Sequence, residues 1–191
     1  MGLKSLLAKP FADYIAKRVY DAAKNAVANQ EKIMMELVQT AAQTQFGKDH
    51  HFSNVRNYED FKAAVPIRDY EALRYYIDKM VDGESDVLWP GKPLYLAKTS
   101  GTTSGVKYIP LTKASIPNHI NSARNALLMY VHETRNTDFI SGKMIFLQGS
   151  PILEEKKGIQ FGRLSGIVAH FVPKYLQKNR MPSWDTNCIE D

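Results

Sequence analysis

The stretch from Ala97 to Pro110 contains residue types that can bind phosphate. Every position from Thr99 to Gly105 is a serine, a threonine or a glycine, and Lys107 follows closely. Glycines let a backbone approach a ligand, while hydroxyls and free amide N–H groups can donate hydrogen bonds to anionic oxygens. A lysine adds a mobile positive charge. Alternating and β-prone residues flank the loop, so the pattern predicts a strand, a phosphate-binding turn and a second strand.

Two other interpretations of this stretch compete with this prediction. A cluster of Gly, Ser and Thr also occurs in ordinary solvated hairpin turns, and composition alone does not separate the two. A Walker-type loop needs four residues between its glycines, followed by Lys and Ser or Thr. Here three residues separate Gly101 from Gly105, and Lys107 lies between Val106 and Tyr108. The spacing therefore disfavours a Walker loop.

The segment from Thr99 to Lys107 resembles the phosphate-binding core motif of the adenylate-forming superfamily, which includes acyl-CoA synthetases, luciferases and peptide-synthetase adenylation domains. Flanking motifs resemble, in the same order, the auxin-responsive-promoter family of acyl acid amido synthetases. The resemblance is continuous from about Gln30 to Thr112 and looser to about Pro182. The flanking motifs are Phe46-Gly47-Lys48, Val65–Glu71, Gly83-Glu84, Val87–Gly91 and Tyr108-Ile109-Pro110.

This resemblance implies an α/β fold, the N-terminal portion of an adenylate-forming large domain. A mainly helical segment over residues 1–90 would precede a β-hairpin phosphate loop, a helix and a mixed sheet with helices over residues 91–191. The implied reaction begins when a substrate carboxylate attacks the α-phosphate of ATP and pyrophosphate departs. The amino group of an amino acid then attacks the acyl-adenylate, which forms an amide and releases AMP.

The resemblance also assigns roles to residues. Lys107 would compensate charge during catalysis, and Ser165 is a candidate for substrate binding. Arg124 is a second candidate for substrate binding, because it is expected near the proposed nucleotide loop. For Arg124, a solvated helix face is the alternative. ATP and Mg²⁺ are the implied cofactors, although the magnesium ligands of the family lie outside this sequence. The residues assigned to nucleotide binding are Thr99, Ser100, Gly101, Thr102, Thr103, Ser104, Gly105 and Lys107.

Length is the main departure from the family pattern. Family members are substantially longer, and this sequence stops before their adenine-, ribose- and metal-binding motifs. We therefore expect an N-terminal fragment that depends on a missing C-terminal part, does not complete the reaction alone, and leaves a sheet edge unpaired. Two alternatives are another adenylate-forming ligase of the acyl-CoA type and a non-catalytic nucleotide-binding or interaction fragment.

Composition is compatible with an anionic ligand. The 191 residues are 44% hydrophobic, with a net charge of +5 and a pI near 9.2, which suits a nucleotide but equally an ordinary surface. The sequence contains no arginine-rich run, so we do not expect nucleic acid as a partner. No signal peptide is recognisable, and the longest apolar run, Ala126 to Val131, is too short to span a bilayer. We expect a cytoplasmic chain without membrane contact, in which Cys188 is a reduced thiol.

Apolar periodicity predicts helices in the first half of the chain. One would run from Leu3 to about Asn29, interrupted or kinked at Pro10, and a second from about Gln30 to Thr44. Their apolar stripes are predicted to be core, with a partner-binding surface as the alternative. These stripes comprise Leu3, Leu6, Leu7, Phe11, Tyr14, Ile15 and Val19, and then Ile33, Met34, Leu37, Val38 and Ala41.

Further elements follow from capping and turn signals. Short helices are expected at 58–64 and 69–80, the latter capped by Asp69, and a longer helix after an N-cap at Thr112. The run 143–147 predicts a buried strand. Trp89 is predicted to be a packing residue, with a platform for the substrate as the alternative. His50 and His51 are expected on the surface, since no third metal ligand accompanies them.

Overall fold

A computed structural model describes residues 3–99, 105–140 and 142–189 of this chain. The described residues form two compact units, the first from those up to 24, within 114–153 and from 162 onward, and the second from those within 25–113 and 154–161. Helices dominate the first part of the sequence and mix with strands after it, which confirms the predicted α/β class. The division of the chain into segments 1–90 and 91–191 stays a prediction. The helices and strands are α1 (Leu3–Lys24), α2 (Ala26–Ala41), α3 (Gln45–Asp49), α4 (Tyr58–Ala64), α5 (Tyr70–Val81), β1 (Tyr95–Lys98), β2 (Tyr108–Leu111), α6 (Ile116–Thr134), β3 (Met144–Ile145), β4 (Glu154–Lys156), β5 (Ile159–Arg163), α7 (Leu164–Ala169), α8 (Lys174–Gln177), β6 (Arg180–Met181) and α9 (Trp184–Asn187).

Helices α4 and α5 begin where their capping residues predict. The side chain of Asn57 accepts the N–H of Asp60 at 3.0 Å, and that of Asp69 accepts the N–H of Ala72 at 2.9 Å. Each bond satisfies one of the backbone donors that a helix leaves free at its start. The predicted cap at Asp69 is therefore confirmed, and it fixes the first turn of α5.

The ring of Phe46 joins the two helical core clusters of the second unit. It packs against both clusters and stacks on His50, with the ring centroids 4.0 Å apart. His50 is buried and its Nδ1 lies 2.9 Å from the Phe46 carbonyl oxygen, so the prediction of a surface His50 was wrong. Trp89 packs against one cluster, as predicted. The clusters consist of Val38, Ala41, Phe52 and Val55, and of Tyr76, Ile77, Met80 and Val87.

A four-stranded sheet in the order β2-β1-β5-β4 continues the second unit. Strands β1 and β2 pair antiparallel, as do β4 and β5. Leu96, Ile159 and Phe161 form its buried cluster, and the ring of Tyr108 meets Phe161 edge to face at 5.5 Å. Strand β4, at one edge, exposes only charged side chains. Charges on an edge strand discourage pairing with other chains.

The predicted buried strand near residue 145 is instead short and exposed. Strand β3 pairs in parallel with β6, and Ile145 and Leu147 are 74% and 94% exposed. A continuous apolar run is buried only where both faces of its strand are covered. Within the described residues, nothing covers the side chain of Leu147, so the prediction of burial was wrong.

Helices α1 and α6 pack together in the first unit. Helix α1 continues through Pro10, and the break before α2 falls at Asn25 rather than near Asn29. Helix α6 begins after Ser115, not after the predicted Thr112. Among the side chains of α1 that the structure describes, those of Ala12, Ile15 and Ala16 are buried.

Six of the predicted core residues of α1 and α2 are exposed, so these stripes were in large part wrong, whereas Ile15, Val38 and Ala41 are buried as predicted. The side chain of Leu3 lies outside the described part of the structure. Small residues face inward on α1 because they allow a neighbouring helix to approach closely. The members of the predicted stripes with the greatest exposure are Leu6, Leu7, Phe11, Tyr14, Ile33 and Leu37.

We expect Asp13→Asn to destabilise the first unit near neutral pH but not in strong acid. Asp13 Oδ1 lies 2.6 Å from both His132 Nδ1 and Arg135 Nη1. The hydrogen bond with His132, and then that with Arg135, lowers the pKa of Asp13 from 3.8. A lowered folded-state pKa adds stability above the unfolded value, and this stability is lost as pH falls through the folded value.

Urea unfolding of parent and variant across pH would measure this. The control is Asp21→Asn on the same helix, since Asp21 lies 3.6 Å from Lys24 and both side chains are well exposed. A parent–variant difference that persists well below pH 3.8 would contradict the prediction.

No helix among the described residues is both long enough and apolar enough to cross a membrane. The predicted cytoplasmic location stays a prediction.

Candidate functional site

The β1–β2 hairpin positions the two ends of the candidate phosphate loop. Lys98 pairs with Tyr108, and beyond that pair the Thr99 N–H donates to the Lys107 carbonyl at 2.9 Å. Gly105 has a φ of +81°, and a Cβ added there would meet nothing within 4 Å. The glycine is therefore required by the backbone conformation rather than by crowding. The two strands of the predicted strand–turn–strand are therefore confirmed.

The five central loop residues lie outside the described residues. These are Ser100, Gly101, Thr102, Thr103 and Ser104. Their assignment to phosphate binding stays a prediction.

Lys107 is held against an aromatic ring at the exit of the loop. Its Nζ lies 5.3 Å from the centroid of the Tyr70 ring. The Tyr70 hydroxyl oxygen accepts the N–H of Tyr108 at 2.8 Å. Among the described residues, Lys107 has no carboxylate partner, so its charge remains available to an anion.

Lys98, at the other end of the loop, has an acidic partner. Its Nζ lies 3.1 Å from Glu154 Oε1, and Lys156 lies 3.3 Å from the other oxygen of the same carboxylate. The hydrogen bonds with Lys98 and then Lys156 lower the pKa of Glu154. Of the two lysines that flank the loop, Lys107 is thus the one that can bind an anion without first losing an acidic partner.

Arg124 lies on α6, in the first unit, on an exposed face. Its guanidinium carbon is 5.9 Å from the Phe11 ring centroid, and Nη2 donates to Asn125 Oδ1 at 3.1 Å. Both contacts leave donors free. The geometry is compatible with the solvated helix face and equally with binding of a carboxylate.

Ser165 forms a hydrogen bond that connects the start of α7 to the segment around Gly149. Its Oγ accepts the N–H of Gly149 at 2.9 Å. The next residue, Gly166, has no room for a side chain, because a Cβ would lie 2.1 Å from the Ser150 carbonyl oxygen. The contacts of Ser165 are thus structural, and its predicted role in substrate binding stays untested.

Comparison with known proteins identifies the family. The model of the GH3 family N-terminal domain matches residues 15–190. The chain belongs to the GH3 family. Curated relatives include the indole-3-acetic acid-amido synthetase GH3.15 of Arabidopsis thaliana, which is 33% identical over 115 residues, and the jasmonoyl–L-amino acid synthetase JAR4 of Nicotiana attenuata, which is 24% identical over 142 residues. The matched parts cover 59% and 73% of this chain but 19% and 24% of those proteins, so the chain spans about a fifth to a quarter of their length.

The same family appears among solved structures. A structure described as the AtGH3.15 acyl acid amido synthetase in complex with 2,4-DB superposes with a TM-score of 0.75 at 23% identity. The superposition covers 93% of this chain and 31% of that one. This likeness shows that the chain has the fold of the N-terminal part of GH3 proteins.

No metal centre is formed by the part of the chain that is described. Within it, no three His, Cys, Asp or Glu side chains lie close enough together to bind an ion. The expectation of Mg²⁺ as a cofactor stays a prediction.

Sequence reasoning missed one residue of this site, Tyr70. It falls within a motif that supports the family resemblance, but no rule of spacing links residue 70 to residues 107 and 108. The predicted N-cap at Asp69 was the one sequence feature that could have drawn attention to Tyr70, because the cap makes Tyr70 the first residue of α5.

Proposed function

We propose that this chain is the N-terminal part of an ATP-dependent acyl acid amido synthetase. In this proposal the loop from Thr99 to Gly105 and the ammonium group of Lys107 bind the phosphates of ATP. A small carboxylic acid is activated as an acyl-adenylate and then transferred to the amino group of an amino acid. The observation that carries the proposal is the loop-exit lysine, which among the described residues has no acidic partner.

The chemistry requires donors fixed before the reaction. The carboxylate oxygen forms a bond to the α-phosphorus, and the bond to the pyrophosphate oxygen breaks, so negative charge moves onto the departing group. Hydroxyl and N–H donors held in place stabilise that charge without rearranging during the step. A rigid antiparallel hairpin provides such placement for the ends of the loop, and Lys107 supplies the positive charge.

The names of the relatives support the class of substrates. One is named for forming an amide of indole-3-acetic acid, and the other for forming jasmonoyl–L-amino acids. We infer the same class here, a small carboxylic acid with an amino acid acceptor, and Arg124 is the candidate to bind the carboxylate. Residues supplied by the rest of a full-length synthetase would complete the reaction.

We expect Thr103→Val and Lys107→Ala each to weaken ATP binding about tenfold or more. A hydrogen bond to a charged group contributes about 1.5–3 kcal/mol, and valine keeps the shape of threonine without its hydroxyl. Titration calorimetry of the chain with ATP would measure both affinities.

Lys113→Ala is the matched control, since Lys113 is an exposed lysine just beyond β2. If both loop variants bind ATP as the parent does, the assignment of the loop is wrong. If the parent binds ATP but releases no pyrophosphate with any acid, even when fused to the remainder of a GH3 synthetase, a non-catalytic nucleotide-binding role replaces the enzymatic one.

A further inference from the structure

Two consecutive residues at the loop exit are held by one side chain. Tyr70, the first residue of α5, accepts the backbone N–H of Tyr108 through its hydroxyl at 2.8 Å. The Lys107 ammonium lies over the Tyr70 ring, with Nζ 5.3 Å from the ring centroid. The hydroxyl therefore fixes the backbone of the exit strand, while the ring fixes the direction of the adjacent lysine.

Tyr70 is itself firmly placed. The Asp69 cap fixes the first turn of α5, and the helix is anchored by its buried residues Tyr76, Ile77 and Met80. Tyr70 also packs against the core cluster that contains these three residues. A change at Tyr70 is thus transmitted to the loop exit rather than absorbed by movement of the helix.

We propose that Tyr70 is a positioning residue for the phosphate loop, which holds the Lys107 ammonium ready for an anion. Lysine has a flexible four-carbon stem, and without a partner its ammonium group samples many positions. A carboxylate partner would hold it equally well but would compete with the ligand. An aromatic face attracts the cation while leaving its N–H donors free for phosphate oxygens.

The nucleotide part of this inference rests on the proposed function, whereas the positioning part does not. Two variants separate the two contacts of Tyr70. Tyr70→Phe removes the acceptor for the Tyr108 N–H and keeps the ring. Tyr70→Leu removes both, so the difference between the variants reports on the ring and Lys107.

The same helix offers a matched control at Tyr75. Its ring lies 5.2 Å from Lys79 Nζ, and its hydroxyl oxygen accepts a hydrogen bond from Gln45 at 3.1 Å. Tyr75 thus makes the same two kinds of contact as Tyr70, but Lys79 is paired with Glu84. Tyr75→Phe and Tyr75→Leu therefore reproduce the chemical changes without touching the loop.

The first test needs no nucleotide. In proton–carbon correlation NMR spectra, the ε-methylene proton signals of Lys107, assigned by their loss in Lys107→Ala, should be displaced upfield by the ring current of Tyr70. Tyr70→Leu should abolish this displacement, whereas Tyr70→Phe and Tyr75→Leu should preserve it. A Lys107 signal at the ordinary lysine position in the parent would overturn the inference.

The second test is a double-mutant cycle on ATP affinity. Relative to Tyr70→Phe, Tyr70→Leu should weaken binding about two- to fivefold when Lys107 is present, the usual range for an exposed cation–π contact. With Lys107→Ala in place, the two Tyr70 variants should bind equally. The role of Tyr70 in binding would be overturned if the difference in ATP affinity between Tyr70→Leu and Tyr70→Phe were the same with Lys107 and with Lys107→Ala. It would also be overturned if Tyr75→Leu weakened ATP binding as much as Tyr70→Leu.

The two tests distinguish the possible failures. A ring-current displacement that depends on Tyr70, together with ATP binding that ignores Lys107, would leave the positioning intact and refute the proposed function of the loop. Normal dependence of ATP binding on Lys107, without any ring-current displacement, would refute the role of Tyr70 alone.

Discussion

Replacing Phe161 by alanine is expected to lower the free energy of unfolding of the second unit by about 3–5 kcal/mol. Phe161 is 2% exposed and packs with Leu96 and Ile159, which are both 0% exposed. Its ring also supports Tyr108, whose backbone forms the exit of the phosphate loop. Alanine would leave a cavity at the centre of the sheet, since the strands on either side are fixed by their hydrogen bonds.

Chemical unfolding followed by circular dichroism would measure the loss. Phe146→Ala is the matched control, because Phe146 is 44% exposed and the same atoms are removed where solvent already reaches them. We expect that variant to lose well under half as much stability. Equal losses at the two sites would show that Phe161 is not a central packing residue of the sheet.

The parts of the fold that could be predicted from the sequence depend on local interactions. The cap at Asp69 acts within one turn of α5, and the alternation around the hairpin specifies two strands across a short loop. Each signal lies within a few residues of the structure that it produces. The family resemblance rests on such local motifs, and it correctly identified the GH3 family.

Burial depends on distant parts of the chain, and there the predictions failed. The apolar period of α1 indicates a helix, but it does not indicate which side a second helix will cover. The structure buries Ala12 and Ala16 and leaves Leu7 60% exposed. For the same reason, His50 looked like a surface residue, because the ring of Tyr76, whose centroid lies 6.4 Å from that of His50, is distant in sequence and comes near it only in the folded unit.

The candidate site shows the same division between local and distant signals. Thr99, Gly105 and Lys107 were found because they are close in sequence, and Tyr70 was missed because it is 37 positions before Lys107. Arg124 and Ser165 lie in the first unit and Lys107 in the second. Sequence motifs therefore located the loop, whereas the support of its lysine required the structure.

Gly47→Ala is the second variant for which we expect a large effect, a loss of about 2–4 kcal/mol in the stability of the second unit. Helix propensity predicts the opposite sign, since alanine within a helix is favoured over glycine by about 1 kcal/mol. Here sterics decide, because an added Cβ would lie 2.1 Å from the Ala41 carbonyl oxygen and 2.9 Å from its carbonyl carbon. Real Cβ atoms essentially never come within 3.0 Å of such neighbours, so the backbone must move.

The atoms that must move already have partners. The Ala41 carbonyl oxygen accepts both the backbone N–H of Thr44 at 3.0 Å and its hydroxyl at 2.7 Å. The same hydroxyl accepts the N–H of Gly47 at 3.0 Å, and Thr44 is 1% exposed. Separating α3 from α2 would therefore strain several buried hydrogen bonds as well as the packing of Phe46.

Gly91→Ala provides the control for backbone conformation alone. Gly91 has a φ of +79° but open space around it, so alanine there should cost only about 1–2 kcal/mol. Thermal and urea unfolding of both variants would separate the steric cost from the conformational one, and a neutral or stabilising Gly47→Ala would refute the steric argument. A larger loss at Gly47 would mean that the Phe46-Gly47-Lys48 motif reflects close packing between two helices, because no ligand is needed to explain why this position excludes a side chain.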